Sequence, residues 1–344
     1  MNNQIDVEAM KIGVVGAGSW GTALANLLAG KGFKIDLWVF EKQVKDQIES
    51  SRENREFLPG IRLSNHIFPS NDMKDVVMEK DLVLVVVPSH VMRETAHQIR
   101  EYISKKTIIV SASKGIENKT HLTMSGVLRE ILYETGEDSF AVISGPSFAR
   151  EVVQNMPTVV AVASRSLKVA AFVQHVFATP YFRVYTNDDM IGVEMGGAVK
   201  NVIAIAAGII DGLGLGLNTR AALITRGLTE IRRLGLKLGA NPRTFAGIAG
   251  IGDLVLTCTG KVSRNHMVGK KIGVGMKLND ILSEMRMVAE GIKTARSVYN
   301  LSKKLDVEMP ICHEVYHILY DGISPKEAVH RLMTRDLKQE LDEV

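Results

Sequence analysis

The sequence predicts an α/β domain with a doubly wound, mostly parallel sheet, followed by an all-α domain. Two observations lead to this fold class. In the first half of the chain, short β-branched runs alternate with segments of helical period, which is the pattern of repeated strand-helix-strand units. After about Met190 the strand patterns stop and only helical patterns remain.

The first domain contains seven strand candidates, at residues 11–15, 34–40, 82–87, 107–112, 140–144, 158–163 and 182–185. Segments of helical period lie between most of them, including residues 20–29, 91–102 and 167–177. The run at residues 82–87 is apolar throughout instead of alternating, as in a parallel strand that is buried on both faces. We therefore expect this strand at the centre of the sheet.

The second domain is rich in Ala, Gly, Leu and Ile, with loops expected at residues 211–216, at 239–242 and around Pro310. The change of pattern near residues 188–190 predicts a first domain at residues 1–189 and a second at 190–344.

Composition excludes several classes of protein. With 46% hydrophobic and 23% charged residues, the chain is neither disordered nor fibrous, and 344 residues favour two domains over one. A net charge of +4 does not suggest a nucleic-acid surface, although it suits a pocket for a small anion. Two cysteines, Cys258 and Cys312, fit a reducing cytoplasm. The acidic N-terminal segment and the lack of a long apolar run predict a protein that is neither exported nor membrane-spanning.

A glycine-rich loop follows the first strand candidate and opens a helix, with the sequence Gly16-Ala17-Gly18-Ser19-Trp20-Gly21. In this motif the first glycine allows a tight turn, the second lets backbone N–H groups approach a pyrophosphate, and the third lets helix and strand pack closely. Glu41 lies 20 residues after Gly21, where a ribose-binding acid is expected. The loop therefore predicts a Rossmann-like dinucleotide-binding domain, and a glycine turn without a ligand is the alternative.

Eight short motifs in order along both domains resemble the NAD(P)-dependent glycerol-3-phosphate dehydrogenases of bacterial type. They are GAGSWG at 16–21, NREFLPG at 54–60, SKGIE at 113–117, SGPSFA at 144–149, VKN at 199–201, GIGDLVLTC at 250–258, SRN at 263–265 and EG at 290–291. The resemblance implies reversible reduction of dihydroxyacetone phosphate to sn-glycerol 3-phosphate for phospholipid synthesis. It also implies a substrate cleft between two domains and a cytoplasmic homodimer.

Three residues are expected to carry the chemistry. Hydride transfer to a ketone leaves negative charge on the carbonyl oxygen, so a proton donor and a positive charge are needed there. The resemblance assigns Lys200 as general acid in reduction and base in oxidation, where the local pattern alone favours a snorkelling surface lysine. It implies that Lys114 contacts the substrate and the nicotinamide. The local pattern alone would also fit a solvated lysine in a loop. Asp253 is expected to pair with Lys200, and a helix N-cap is the alternative.

The resemblance implies a larger set of binding residues. Arginine suits phosphate oxygens because it offers paired donors, so the SRN motif is assigned to the substrate phosphate, where its pattern alone suggests an exposed loop. The predicted substrate-binding residues are Lys114, Gly145, Ser147, Lys200, Asn201, Asp253, Thr257, Ser263, Arg264 and Asn265. The predicted cofactor-binding residues are Gly16, Gly18, Ser19, Trp20, Gly21, Phe40, Glu41, Lys114, Ala149, Arg264, Val288 and Glu290.

Residues after the second strand predict a preference for NAD, with NADP possible. Phe40 cannot hydrogen-bond a phosphate, and relatives that use NADPH commonly have arginine or histidine there. Glu41 would repel the 2′-phosphate of NADP by up to ~4 kcal/mol at about 4 Å and an effective dielectric near ~20. Lys42 could offset part of this repulsion, and a helix-dipole role is the alternative for Glu41.

Two further patterns resemble functional motifs. His313-Glu314-Val315-Tyr316-His317 fits the zinc motif H-E-x-x-H, with Glu340 as an imaginable third ligand, but no second protease element accompanies it and no metal is expected. The glycines at 211–216 do not follow a strand, so a loop between helices is expected there.

The sequence also leaves two competing functions open. One is another two-domain dehydrogenase that acts on a hydroxy acid, and the other is a non-catalytic dinucleotide sensor. The SRN motif and Lys114 argue against the first, and an intact Lys114, Lys200 and Asp253 set argues against the second.

Overall fold

The computed structural model describes residues 9–285 and 289–340. The described residues divide into two compact units, one with residues 9–114 and 122–193, and the other with residues 115–121, 194–285 and 289–340. The segment at residues 115–121 thus belongs with the helical unit, although its neighbours on both sides belong to the α/β unit.

The first unit is built on one eight-stranded sheet. Its strands are β1 (Ile12–Val15), β2 (Ile35–Trp38), β3 (Ile67–Ser70), β4 (Leu82–Val85), β5 (Ile108–Ser111), β6 (Phe140–Ser144), β7 (Thr158–Ala163) and β8 (Phe182–Asn187). The order is β3-β2-β1-β4-β5-β6-β7-β8, and all neighbours are parallel except β6 and β7. The predicted mostly parallel sheet is confirmed, and β4 lies inside it with all four residues buried.

Helices cover this sheet. They are α1 (Ser19–Gly30), α2 (Lys42–Ser51), α3 (Met73–Val77), α4 (Met92–Arg100), α5 (Met124–Ile131), α6 (Ala149–Val153) and α7 (Leu167–Phe177), with single 3₁₀ turns at Ser89–Val91 and Glu137–Ser139. The core of the unit includes Leu24 and Leu28 of α1 and Val173 and Phe177 of α7, none of which is exposed. Burial of such apolar faces against the sheet is what holds the helices in place.

Strand β3 was not among the predicted strands. Its four residues, Ile67 to Ser70, include Pro69, which has no N–H and therefore weakens a strand prediction. Proline is tolerated here because β3 is an edge strand that pairs only with β2. Its short length and polar end explain why periodicity did not reveal it.

The second unit is helical, as predicted. Its helices are α8 (Met190–Leu213), whose first residues belong to the other unit, α9 (Gly216–Lys237), α10 (Pro242–Phe245), α11 (Asp253–Thr259), α12 (Arg264–Gly273), α13 (Leu278–Ser283), α14 (Glu290–Leu305), α15 (Pro310–Tyr320) and α16 (Pro325–Met333). A π-helical turn at Ile248–Gly252 leads into α11.

Helix α8 is the central helix of the unit. Its 24 residues include an 18-residue stretch with a mean hydropathy of 1.5, enough by length and composition to cross a membrane, but that stretch is 100% buried within the protein. A buried helix of this kind is the expected core of a folded domain. The predicted absence of an export signal concerns residues 1–11, and residues 1–8 lie outside the described part of the chain.

Candidate active site

The glycine-rich loop has the geometry that its motif predicts. Gly16 has a φ of +117°, which an L side chain would adopt only with strain. A Cβ on Gly21 would lie 1.9 Å from the carbonyl oxygen of Gly16, so only glycine lets α1 approach the loop this closely. A Cβ on Gly18 would meet nothing within 4 Å, which leaves open space beside the first turn of α1. The loop therefore fits a pyrophosphate at a helix N-terminus.

A buried asparagine, Asn54, supports this loop through hydrogen bonds. The Nδ2 of Asn54 donates to the carbonyl oxygen of Ala17 at 2.8 Å and to the hydroxyl of Thr22 at 2.9 Å. Its Oδ1 accepts from the N–H of Phe57 at 3.0 Å, and the hydroxyl of Ser19 donates to the carbonyl of Phe57 at 2.6 Å. Asn54 lies in the NREFLPG motif, but no local pattern showed that it contacts the glycine loop, so its role was missed.

The residues predicted to select the cofactor follow β2. Phe40 is 76% exposed, and its ring makes an edge contact with Trp38 at 6.0 Å between centroids. Glu41 occupies the N-cap position of α2 without a side-chain capping hydrogen bond, and Lys42 is the first residue of that helix. Glu41 therefore lies one residue before the first turn, where its carboxylate still meets the positive end of the helix, and the helix-dipole alternative stays open.

Lys114, Gly145 and Ser147 are brought together within the first unit. The Nζ of Lys114 donates to the carbonyl oxygen of Gly145 at 3.1 Å, and the hydroxyl of Ser147 donates to the same oxygen at 2.9 Å. These residues follow β5 and β6, at the carboxyl ends of parallel strands where ligands of such sheets bind. Ala149 is the first residue of the next helix, α6.

Lys200 and Asp253 form a buried ion pair in the second unit. Their side chains are 7% and 1% exposed, so Lys200 is not the snorkelling surface lysine that its local pattern favoured. The Nζ of Lys200 also donates to the hydroxyl of Thr257 at 2.7 Å, and that hydroxyl donates to the carbonyl of Asp253 at 2.6 Å. Gly252 occupies the N-cap position of α11, so the N-cap alternative for Asp253 is wrong. The predicted pairing of Asp253 with Lys200 is confirmed.

The approach of α8 to the turn before α11 creates this pair. A Cβ on Gly196 of α8 would lie 2.4 Å from the carbonyl oxygen of Ala249, so the close contact requires glycine. Asp253 begins α11 directly after that turn, which places its carboxylate against Lys200, one turn beyond Gly196 on α8.

The SRN motif begins helix α12 and is not an exposed loop. The Ser263 hydroxyl caps the helix by accepting from the N–H of His266 at 3.3 Å, and Ser263 is buried. Arg264 is exposed, but surrounding protein groups desolvate its guanidinium and lower its pKa, an effect that the charge of Glu290 opposes. The motif therefore presents one exposed cation at a helix N-terminus.

A chain of amides connects this motif to its neighbours. The Nδ2 of Asn265 donates to the Oδ1 of Asn201 at 2.9 Å, and the N–H of Gly291 donates to the Oδ1 of Asn265 at 3.0 Å. Asn201 in turn donates to the carbonyl of Gly197 at 3.3 Å. Glu290 is the first residue of α14, next to Gly291. Val288, the remaining predicted cofactor residue, lies outside the described residues.

The H-E-x-x-H residues do not form a shared site. The Nε2 of His313 lies 2.7 Å from the hydroxyl of Ser302, and burial lowers the pKa of His313 to about 4. The Nδ1 of His317 lies 2.6 Å from the carboxylate of Asp321. Among residues 9–285 and 289–340, no group of three His, Cys, Asp or Glu side chains could hold a metal ion. The glycines at 211–216 lie at the junction of α8 and α9, as expected.

Comparison with known proteins places both halves of the chain in one family. The sequence profile of the NAD-dependent glycerol-3-phosphate dehydrogenase N-terminus matches residues 11–170, and that of the C-terminus matches residues 189–330. Two similar proteins carry the name NAD(P)⁺ glycerol-3-phosphate dehydrogenase. The protein from Syntrophobacter fumaroxidans is 54% identical over 96% of this chain and 97% of its own length. The protein from Geobacter sulfurreducens is 56% identical over 96% of this chain and 98% of its own length.

A solved structure gives the same result. The crystal structure of glycerol-3-phosphate dehydrogenase from Coxiella burnetii superposes with a TM-score of 0.90 at 40% identity, and the match covers 95% of this chain and 99% of that one. The chain belongs to the NAD(P)-dependent glycerol-3-phosphate dehydrogenase family, whose members are oxidoreductases.

Proposed function

We propose that Lys200 transfers the proton in the reversible reduction of dihydroxyacetone phosphate to sn-glycerol 3-phosphate. The bound dinucleotide supplies or accepts the hydride. The buried pair of Lys200 with Asp253 is the observation that carries this proposal, because a lysine held away from solvent beside a carboxylate is the kind of ionisable group that concentrates at functional sites. In the direction of reduction, the ammonium neutralises the developing alkoxide and then donates a proton to it.

Asp253 and Thr257 orient the lysine. An ammonium group has three donors, and two of them are directed at the Asp253 carboxylate and the Thr257 hydroxyl. These contacts keep the side chain from adopting its other rotamers, which is the pre-organisation that positioned acid catalysis requires. Thr257, which was predicted to contact substrate, is thus proposed to act through Lys200.

Arg264 is proposed to bind the substrate phosphate. It is exposed at the N-terminus of α12, and a guanidinium there adds its paired donors to the favourable helix dipole. Asn265 and Asn201 are hydrogen-bonded to each other, so we assign them to holding the start of α12 in place next to Lys200. Lys114 and Ser147, in the loops after β5 and β6 of the first unit, are each proposed as substrate-binding residues.

The glycine-rich loop is proposed to bind the pyrophosphate of the cofactor, with Asn54 holding the loop in shape. Exposed Phe40 and adjacent Glu41 would meet the adenosine ribose, and neither can neutralise a 2′-phosphate. We therefore propose NAD as the preferred cofactor, with NADP accepted.

One comparison of variants tests the proposal. The purified protein should oxidise NADH when dihydroxyacetone phosphate is added, which is followed by nicotinamide absorbance. Lys200→Ala should lower kcat by at least ~10²-fold, because positioned acid catalysis is lost, while NADH binding stays unchanged. Lys237→Ala is the matched control, since Lys237 is an exposed lysine of the same unit at the end of α9.

Three results would contradict it. A Lys200→Ala enzyme with more than about a tenth of normal kcat would exclude Lys200 as the proton donor. Faster reduction of a 2-oxo acid than of dihydroxyacetone phosphate would indicate a hydroxy-acid dehydrogenase. NADH binding without turnover of either substrate would indicate a dinucleotide sensor.

We further propose that the protein works as a cytoplasmic homodimer and supplies glycerol phosphate for phospholipid synthesis. Two buried free thiols, Cys258 and Cys312, suit a reducing compartment. Light scattering on the purified protein measures the oligomeric state directly, and a monomeric mass would contradict the dimer.

A further inference from the structure

We propose that Asp211 is a positioning residue for the substrate phosphate, acting through His266 on Arg264. The inference rests on the proposed role of Arg264 in phosphate binding and adds a residue that the reaction chemistry alone does not require. Asp211 lies near the end of α8, and His266 lies on α12, two residues after Arg264.

Asp211 is the centre of a partly buried polar cluster. Its Oδ2 lies 2.8 Å from the Nε2 of His266, and its Oδ1 accepts from the Nε of Arg220 at 3.0 Å. The Asp211 side chain is 15% exposed, and that of His266 is 10% exposed. Burial by itself raises the pKa of Asp211, but the hydrogen bonds from Arg220 and His266 outweigh burial and lower it. The carboxylate is therefore ionised and accepts a hydrogen bond from each partner.

Glycines bring α8 and α12 into backbone contact beside this cluster. A Cβ on Gly208 of α8 would lie 2.0 Å from the carbonyl oxygen of His266, and a Cβ on Gly269 of α12 would lie 1.9 Å from that of Ile205. Gly212 and Gly273 repeat the contact one turn further along, at 2.4 Å from the carbonyl of Lys270 and 2.5 Å from that of Ile209. These four glycine contacts keep the helices close. Glycines, however, have no side chains that interlock and prevent the helices from sliding.

The directional contact of Asp211 with His266 restricts the sliding that the glycine contacts alone would allow. A charge-assisted hydrogen bond tolerates only small changes in distance and angle, so it fixes α12 along and around its own axis. Asn265 makes the second polar contact of α12 with α8, at Asn201. These two neighbouring residues directly follow Arg264, so two contacts with α8 hold the start of α12, from which the guanidinium extends.

The helix geometry shows why this matters for the reaction. Asp211 follows Lys200 by 11 residues on one continuous helix, which is about three turns and returns to nearly the same face. The contact of His266 with Asp211 therefore connects the start of α12, which carries Arg264, to the same helix that carries Lys200. The contact sets the spacing between the phosphate-binding cation and the proton donor.

The test compares Asp211→Asn with Asp321→Asn. The control removes the charge of another aspartate that accepts from a histidine in the same unit, since Asp321 contacts His317 at 2.6 Å but is not linked to α12. We expect Asp211→Asn to raise KM for dihydroxyacetone phosphate by ~10-fold and to leave kcat within about twofold of normal, because the misplaced Arg264 weakens binding of the substrate phosphate. A smaller rise in KM for NADH is expected, because Arg264 is also a predicted cofactor-binding residue. The control should leave all three constants unchanged.

A double variant shows whether the effect passes through Arg264. Arg264→Lys should itself raise KM for dihydroxyacetone phosphate, and adding Asp211→Asn to it should produce no further increase. Two variants of His266 test the same contact if Asp211→Asn does not fold. His266→Gln keeps a donor near the Nε2 position and should retain normal KM, whereas His266→Leu should raise it.

The outcomes separate this inference from the proposed function. If Arg264→Lys raises KM and Asp211→Asn does not, the positioning role is wrong and phosphate binding by Arg264 stands. If Asp211→Asn raises KM by the same factor with and without Arg264→Lys, Asp211 does not act through Arg264. If Arg264→Lys leaves KM unchanged, both the phosphate role and the positioning role are wrong.

Discussion

Replacing either partner of the Lys200 and Asp253 pair should cost far more stability than replacing a surface ion pair. The perturbations are Asp253→Asn, Lys200→Met and the double variant. Both side chains are at least nine-tenths buried, so each single substitution leaves a buried charge or polar group without its partner. Removing one member of such a pair typically costs ~3–5 kcal/mol. We expect each single variant to lose about 3 kcal/mol of unfolding free energy.

The double variant distinguishes a coupled pair from two independent residues. With both charges absent, no unpaired ion is buried, so the loss should be well below the sum of the two single losses, about 6 kcal/mol. Asp253→Asn should also lower kcat by ~10²-fold, because the ammonium loses the contact that orients it.

Urea unfolding followed by circular dichroism measures the stabilities, and nicotinamide absorbance measures kcat. Glu49→Gln is the control, because Glu49 pairs with Lys45 at 2.7 Å on the exposed face of α2 and should contribute less than ~1 kcal/mol. Additive losses in the double variant, or single losses no larger than that of the control, would refute the reasoning that a buried, coupled ion pair lies at this site.

Three further predictions follow from separate features. NADH should give a higher kcat/KM than NADPH, and Phe40→Arg should shift the ratio toward NADPH by adding a phosphate-binding cation; equal ratios for both enzymes would exclude a role for this position. Gly21→Ala should weaken NADH binding and lower stability, since its Cβ would lie 1.9 Å from a carbonyl oxygen, and normal binding in a fluorescence titration would contradict this close contact. Burial raises the pKa of Glu230 from 4.5 to about 7, so unfolding free energy should fall by about 3 kcal/mol as pH rises through that interval. Glu230→Gln should lack this component of the fall, and identical pH profiles in urea unfolding would show that Glu230 does not titrate there.

The sequence alone determined the features that depend on neighbouring residues. The apolar run containing β4 predicted a central strand, because burial on both faces leaves no polar alternation to detect. The loop from Gly16 to Gly21 predicted a phosphate site, because its turn, its open side and its close packing are local properties of three glycines. The need of Asp253 for a partner was also predictable, since a carboxylate in an apolar segment needs a cation or a hydrogen-bond donor.

Apart from the pair of Lys200 with Asp253, the tertiary structure alone decided the contacts between segments that lie far apart in the sequence. Nothing in the pattern around Asn54 indicates that it reaches Ala17, 37 residues earlier, and nothing around Asp211 indicates His266, 55 residues later. Edge strand β3 was hidden for a related reason, since pairing with β2 stabilises a segment whose own residues do not favour a strand. Periodicity records which face of a helix or strand is buried, but not which neighbour buries it. That choice is made when helices such as α8 and α12 pack, and backbone contact through glycines then brings specific polar side chains within hydrogen-bonding distance.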